Sequence, residues 1–217
     1  MRNILIVAGG LVAVAAIAAG VFFGTRPAPT GPASVAAAPS QAAVLAITPT
    51  DHVEGDPKAP ITMIEYASFT CPHCAHFAVV ELPAIRKKWI ETGKVKLVYR
   101  DFPLDETAAK AAQLAECSGN DKYFAVIDMI FRGQGTWAVA SDPIAELSKS
   151  LRIAGMGPNE VKACLANTAV ADAVVADYRS GEQAGVNSTP TLFINGEQFK
   201  GARSVDELDA AFTKLLK

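Results

Sequence analysis

Residues 106 to 182 are helical in pattern throughout, and they divide two stretches of β character. No other feature of the chain limits its fold as strongly. In the first stretch, Ile61-Thr62-Met63-Ile64-Glu65-Tyr66-Ala67-Ser68-Phe69 is bounded by prolines and rich in β-formers, so it reads as a strand. From Cys74 to about Thr92 the apolar residues Phe77, Val80, Ile85 and Trp89 recur near helical spacing, and Pro83 is expected to kink that helix. Val95 to Tyr99 is a second strand. Strand, helix and strand at this spacing form a βαβ unit, which makes the two strands parallel. In the second stretch, Thr191-Leu192-Phe193-Ile194 meets Asn195-Gly196, a hairpin-turn signal, and Glu197-Gln198-Phe199 returns antiparallel. The last helix opens with Ser204-Val205-Asp206-Glu207, a capping-box pattern, and lines Val205, Leu208, Phe212 and Leu215 on one face.

A βαβ half and a ββα half separated by helices make an α/β chain: a thioredoxin-like core with a helical insertion at about 106–182. Within the insertion Asp142-Pro143 marks an N-cap and first helical position, and Gly157-Pro158 separates two helices. Ahead of the core, Ile4 to Gly24 is uncharged and almost wholly apolar. A bilayer span needs about 20 such residues and a secretory signal core about 7–15, so the length fits a span better. Residues 1–24 are therefore a transmembrane anchor or a removed signal peptide, and either sends the rest of the chain out of the cytoplasm. Residues 25–48 are rich in Ala, Pro, Ser, Thr and Gly and read as a flexible linker, leaving 49–217 for the folded domain. A formal net charge of -2 without a basic patch weighs against a nucleic-acid partner.

Two of the four cysteines, Cys71 and Cys74, form Cys-x-x-Cys where the strand gives way to the helix. The first turn of a helix has unpaired N–H groups and the positive end of the helix dipole. A thiolate at Cys71 would accept those hydrogen bonds, so its pKa should fall below the free value of about 8.5. Cys74 lies one turn deeper on the same face. His73, as an imidazolium, would favour the anion further, and Pro72 fixes the turn. Glu65 shares the strand face of Ile61, Met63, Ala67 and Phe69. A carboxyl on an apolar face should have a raised pKa and could exchange a proton with Cys74; the competing reading is a Glu at a strand edge facing water. Thr189-Pro190 likewise has two readings. Pro190 is either a strand-start proline or part of a cis bond beside the Cys71 sulfur that leaves the Thr189 backbone free to pair with an extended substrate.

Together these residues resemble the DsbA family of thiol oxidases. The resemblance rests on Ile61 to Phe77 with Glu65 and Cys71-Pro72-His73-Cys74, and on Gly185 to Gly196 with Thr189-Pro190. It implies that Cys71 is the nucleophile, Cys74 its partner, Glu65 the buried acid and Pro190 the cis-proline. It also implies a redox-active disulfide with no other cofactor, reduced exported proteins as substrates, and reoxidation by a DsbB-like membrane quinone-linked oxidase. The compartment implied is the periplasm or another extracytoplasmic space, with tethering to the inner membrane through residues 4–24 if they are uncleaved.

Cys117 and Cys164 lie on separate helices of the insertion. In an oxidising compartment they are expected to form a structural disulfide, the alternative being two free buried thiols. His76 is expected to be a solvated surface residue, His52 a bland residue ahead of the core, and Trp89 and Trp137 packing residues. Two rival functions remain. One is a disulfide isomerase or reductase on the same fold. The other is a copper- or metal-binding protein using Cys71, Cys74, His73 and His76, although a closed zinc site would want a second close cysteine pair and no metal site is expected.

Overall fold

The computed structural model describes residues 40–217. The segment read as anchor or signal, and the linker up to residue 39, lie outside the described residues. Among those described, no helix is long and apolar enough to cross a membrane.

The described chain begins with a short helix, α1 (Gln41–Val44), and an edge strand, β1 (His52–Glu54). The first core strand, β2 (Ile61–Ala67), leads into α2 (Pro72–His76). Helical structure then continues through a π-helical turn (Phe77–Glu81), α3 (Leu82–Ile85) and a second π-helical turn (Arg86–Ile90). The kink expected at Pro83 takes this form. Proline has no N–H for the carbonyl of residue 79, and the ladder widens around it. The next strand, β3 (Val95–Asp101), is two residues longer than the sequence suggested. The insertion consists of α4 (Glu106–Glu116), α5 (Tyr123–Trp137), α6 (Pro143–Leu151), a 3-10 turn, α7 (Pro158–Leu165) and α8 (Thr168–Ala184). The hairpin of β4 (Thr191–Ile194) and β5 (Glu197–Gln198) precedes α9 (Val205–Leu215).

The five-stranded sheet has the order β1-β3-β2-β4-β5, with β2 and β3 parallel and the other pairs antiparallel. This is the expected core of a βαβ half and a ββα half. Asn195 and Gly196 make the tight turn with φ of 48° and 86°, the left-handed values a two-residue hairpin needs. Ile61, Met63, Val95, Leu97, Leu192 and Ile194 point to one face, where Phe77, Leu82, Ile85, Trp89, Leu208 and Phe212 cover them. Further along the same face, Ala67, Phe69 and Tyr99 meet α4 and α5 of the insertion. The opposite face, with Ile64, Tyr66, Val98 and Phe193, is closed by Leu45, Ala184 and Val186. There α8 lies so close that a Cβ on Gly181 would stand 2.6 Å from a ring carbon of Phe102.

Four local expectations change in the folded chain. The ordered domain starts before residue 49, because Arg100 gathers the preceding segment. Its guanidinium donates to both carboxylate oxygens of Asp51 (2.7 and 2.9 Å) and to the carbonyls of Val44 and Ala46 (2.9 and 2.8 Å). The Ser204 side chain caps nothing; instead the Glu81 carboxylate accepts the Val205 N–H at 2.8 Å, tying α9 to the first π-helical turn. Val80 and Leu215, assigned to apolar faces by spacing, are 56% and 48% exposed. The π-helical turns displace Val80 from regular spacing, and Leu215 lies in the last turn of α9.

Candidate functional site

Cys71 is the N-cap of α2, with extended backbone at φ -80° and ψ 118°, and its sulfur accepts the N–H of Cys74 at 3.4 Å. Pro72 occupies the first helical position, where a missing N–H costs nothing. The turn is held from outside the core by Gln134 on α5. Its buried amide nitrogen donates to the carbonyls of Phe69 (2.7 Å) and Cys71 (3.0 Å). Gln134 escaped the sequence reading, although an amide on the core-facing side of an otherwise apolar helix is a usable signal.

The two sulfurs sit in opposed electrostatic settings. The hydrogen bond from the Cys74 thiol is the largest influence on Cys71. With the Thr189 side chain and the backbone N–H groups of Cys74 and His73, it holds the Cys71 thiol down at about 5 against the opposing effect of burial. Cys74 is wholly enclosed. Burial pushes its thiol well above the ordinary range, and the Cys71 sulfur and Glu65 act in the same direction. His73 acts on Cys71 through its backbone; its ring is exposed.

Glu65 faces inward, 1% exposed, as the apolar-face reading expected. Burial raises its carboxyl to about 8, opposed by Arg86 and reinforced by a charge on Cys71. Its Oε1 has no hydrogen-bond partner among the described groups.

The Thr189–Pro190 bond is cis, and the Thr189 carbonyl accepts the Cys71 thiol at 3.3 Å, so residues 71 and 189–190 do meet. The Thr189 hydroxyl is buried and makes no hydrogen bond of ordinary length to a described group. Beside this contact a groove of about 440 Å³ opens between His73, His76 and Phe77 on one wall and Thr189, Pro190 and Arg203 on the other. His76 is exposed, as expected. Away from the site, Cys117 at the end of α4 and Cys164 in α7 are joined as a disulfide with their Cα atoms 6.0 Å apart. Among the described residues no three His, Cys, Asp or Glu side chains converge in a metal-holding group.

This arrangement gives one anion-stabilised sulfur that is 5% exposed beside the groove, a fully enclosed partner sulfur that resists ionisation, and a buried acid at hand. Such a pair is suited to thiol–disulfide exchange, where a low-pKa sulfur leaves readily and a stabilised reduced form favours oxidation of others.

A family model described as thioredoxin matches residues 47–214. A Rickettsia conorii protein provisionally named a protein-disulfide oxidoreductase is 32% identical over 169 residues, which is 77% of this chain and 61% of that protein. The chain thus spans about three-fifths of the length of that curated relative. The crystal structure of α-DsbA1 from Wolbachia pipientis superposes with a TM-score of 0.75 at 30% identity, covering 81% of this chain and 96% of that one. Oxidised BdbD from Bacillus subtilis shares the fold, with a TM-score of 0.70 at 23% identity over 77% of this chain and 93% of that one. A family match across nearly all of the described domain, and a DsbA structure that superposes over almost its full length, lead to one conclusion: the chain belongs to the thioredoxin family, in its DsbA-like branch.

Proposed function

We propose that this chain is a thiol–disulfide oxidoreductase that introduces disulfides into exported proteins through a Cys71–Cys74 disulfide. The observation that carries the reading is the contrast between the two sulfurs: Cys71 is held down at about 5 while burial drives Cys74 up. In the oxidised protein a substrate thiolate attacks Cys71. The Cys71–Cys74 bond breaks, a mixed disulfide forms, and Cys74 leaves as an anion that takes a proton from Glu65. The second substrate thiolate then attacks the substrate sulfur of the mixed disulfide. The substrate disulfide closes and Cys71 departs as a stabilised thiolate. Two electrons have passed to the protein, which requires an oxidant to return; a quinone-linked membrane oxidase of DsbB type fits that need.

Thr189 and Pro190 offer backbone beside the sulfur for an extended substrate segment, and the neighbouring groove would receive its flanking residues. An extracytoplasmic location is supported by the Cys117–Cys164 disulfide and by the apolar run at residues 4–24. The test is oxidation of a reduced, unfolded protein by wild type, Cys71→Ser and Cys74→Ser. Wild type should form disulfides and both variants should not, with Cys74→Ser trapping the mixed disulfide. Catalysis by Cys71→Ser would defeat the assignment.

A further inference from the structure

The geometry points to a proton route that leaves the active site sideways through the sheet, from Glu65 through Tyr99 to His52 and Glu116. The inference rests on the thiol-exchange reading above and concerns where the proton of Cys74 goes.

The strand register makes the row. Glu65 on β2 is the direct partner of Tyr99 on β3, and Tyr99 is the direct partner of His52 on β1. Directly paired residues project from the same face, and adjacent strands lie about 4.7–4.9 Å apart. The three side chains therefore stand side by side from the centre of the sheet to its edge, on the face that packs against Cys71 and Cys74.

Burial explains the need for such a route. Cys74 is wholly enclosed and Glu65 is 1% exposed, so neither can trade protons with solvent directly. Yet each turnover puts a proton on Cys74 and removes one. The row also holds an unusual set of orphans. Glu65 Oε1, Tyr99 OH, Asp101 Oδ2 and Tyr123 OH are all buried without a hydrogen-bond partner among the described groups. Buried polar atoms are normally paired with protein or with ordered water, and an internal water takes two to four hydrogen bonds. Asp101 follows Tyr99 by two residues on the same strand face, and the Tyr123 ring lies 6.2 Å from that of Tyr99. Four orphans in one neighbourhood make a site for internal water linking the carboxyl to the phenols.

The outer end reaches the surface. The His52 ring stacks on Tyr123 at 3.4 Å between centroids, and its Nε2 lies 3.0 Å from Glu116 Oε2. The side chains of His52 and Glu116 are 11% and 20% exposed. The groups acting on Glu65 are Cys71, Arg86, Asp128 and Glu54; those acting on Tyr99 are Asp101, Glu65, Cys74 and Asp177. When Cys74 must become a nucleophile, its proton passes to the Glu65 carboxylate. The resulting carboxylic acid donates towards Tyr99, which hands on its own hydroxyl proton through water to His52. His52 releases a proton at the Glu116 side, and no electrons move. Tyr99 and His52 are positioning residues here, since neither touches a reacting sulfur.

The test times ring closure, the step in which Cys74 attacks the mixed disulfide between Cys71 and glutathione after reduced protein meets oxidised glutathione. A Cys74→Ser background isolates the preceding attack by Cys71. A positioned proton-transfer group contributes about 10²–10⁴-fold, and with water able to substitute in part, Tyr99→Phe should slow ring closure about tenfold. His52→Gln should slow it in the same direction. In both, the first step should match that of wild type, and ring closure should slow more in deuterium oxide than it does in wild type. A folded Tyr99→Phe protein with wild-type ring closure and a wild-type isotope effect would overturn the route. If Tyr99→Phe does not fold, His52→Gln at the partly exposed edge decides by the same readouts. Failure of the underlying thiol-exchange reading looks different: wild type itself would lack fast attack by Cys71.

Discussion

Replacing Glu65 with glutamine should stabilise the reduced protein near neutral pH, although it removes a residue assigned to the chemistry. Glu65 is 1% exposed, and burial raises its carboxyl from the ordinary 4.5 to about 8. Between those two values the folded state keeps a proton that the unfolded chain has released, so folding loses stability as pH rises. Each pKa unit is worth about 1.4 kcal/mol, so the penalty grows to roughly 5 kcal/mol above pH 8, with about 3 kcal/mol accrued at pH 7. Glutamine has the same shape and never ionises. Urea unfolding of the reduced Glu65→Gln and wild-type proteins from pH 4 to pH 9 should show nearly equal stability at pH 4. The variant should gain steadily and lead by about 2–3 kcal/mol at pH 7, given that folded-state relaxation softens such penalties. Its ring closure should be slowed, because no carboxylate remains to take the Cys74 proton. A stability difference independent of pH, or a variant less stable at every pH, would refute the buried-acid argument.

Gln134→Ala should destabilise the protein by about 1–3 kcal/mol, because it removes two hydrogen bonds and leaves the Phe69 carbonyl without its partner, while the Cys71 carbonyl keeps the Ala75 N–H at 3.1 Å; denaturant midpoints measure this. Replacing both Cys117 and Cys164 with alanine opens a bridge spanning 47 residues and should cost about 2–4 kcal/mol, with hydrogen exchange rising in α4 and α7 and the Cys71 pKa unchanged. Thr189→Val should raise the Cys71 pKa, but by less than Cys74→Ala does, since the Cys74 contact is the larger influence; thiolate absorbance against pH ranks the two.

The parts of the fold legible in the sequence were those set by local chemistry. Asn195-Gly196 announces its turn because few other residue pairs tolerate left-handed backbone twice in succession, and Asp142 caps α6 by accepting the Ala145 N–H at 3.0 Å. Cys71, Cys74 and Glu65 were legible because strand alternation and the start of a helix fix where their side chains point. Features that depend on distant partners were not. The three-residue β1 exists through its pairing with β3, and α1 is ordered through Arg100 from another strand. Ser204 has the residues of a capping box, yet Glu81 reaches in from another helix and takes the N–H first. His52 looked bland because nothing local reveals that it stands opposite Tyr99, which stands opposite Glu65. Cross-strand register is a property of the assembled sheet, and the proposed route becomes visible only there.

The measurement closest to the central claim is the ionisation of Cys71 in the reduced protein, followed by thiolate absorbance and by the pH dependence of alkylation, with Cys74→Ser as a companion. Titration of wild type near pH 5, with Cys74 unreactive throughout, is the result expected of a sulfur held by a neighbouring thiol and the N–H groups of a helix start. A Cys71 that titrates between about 8 and 9, like a free thiol, would contradict the account.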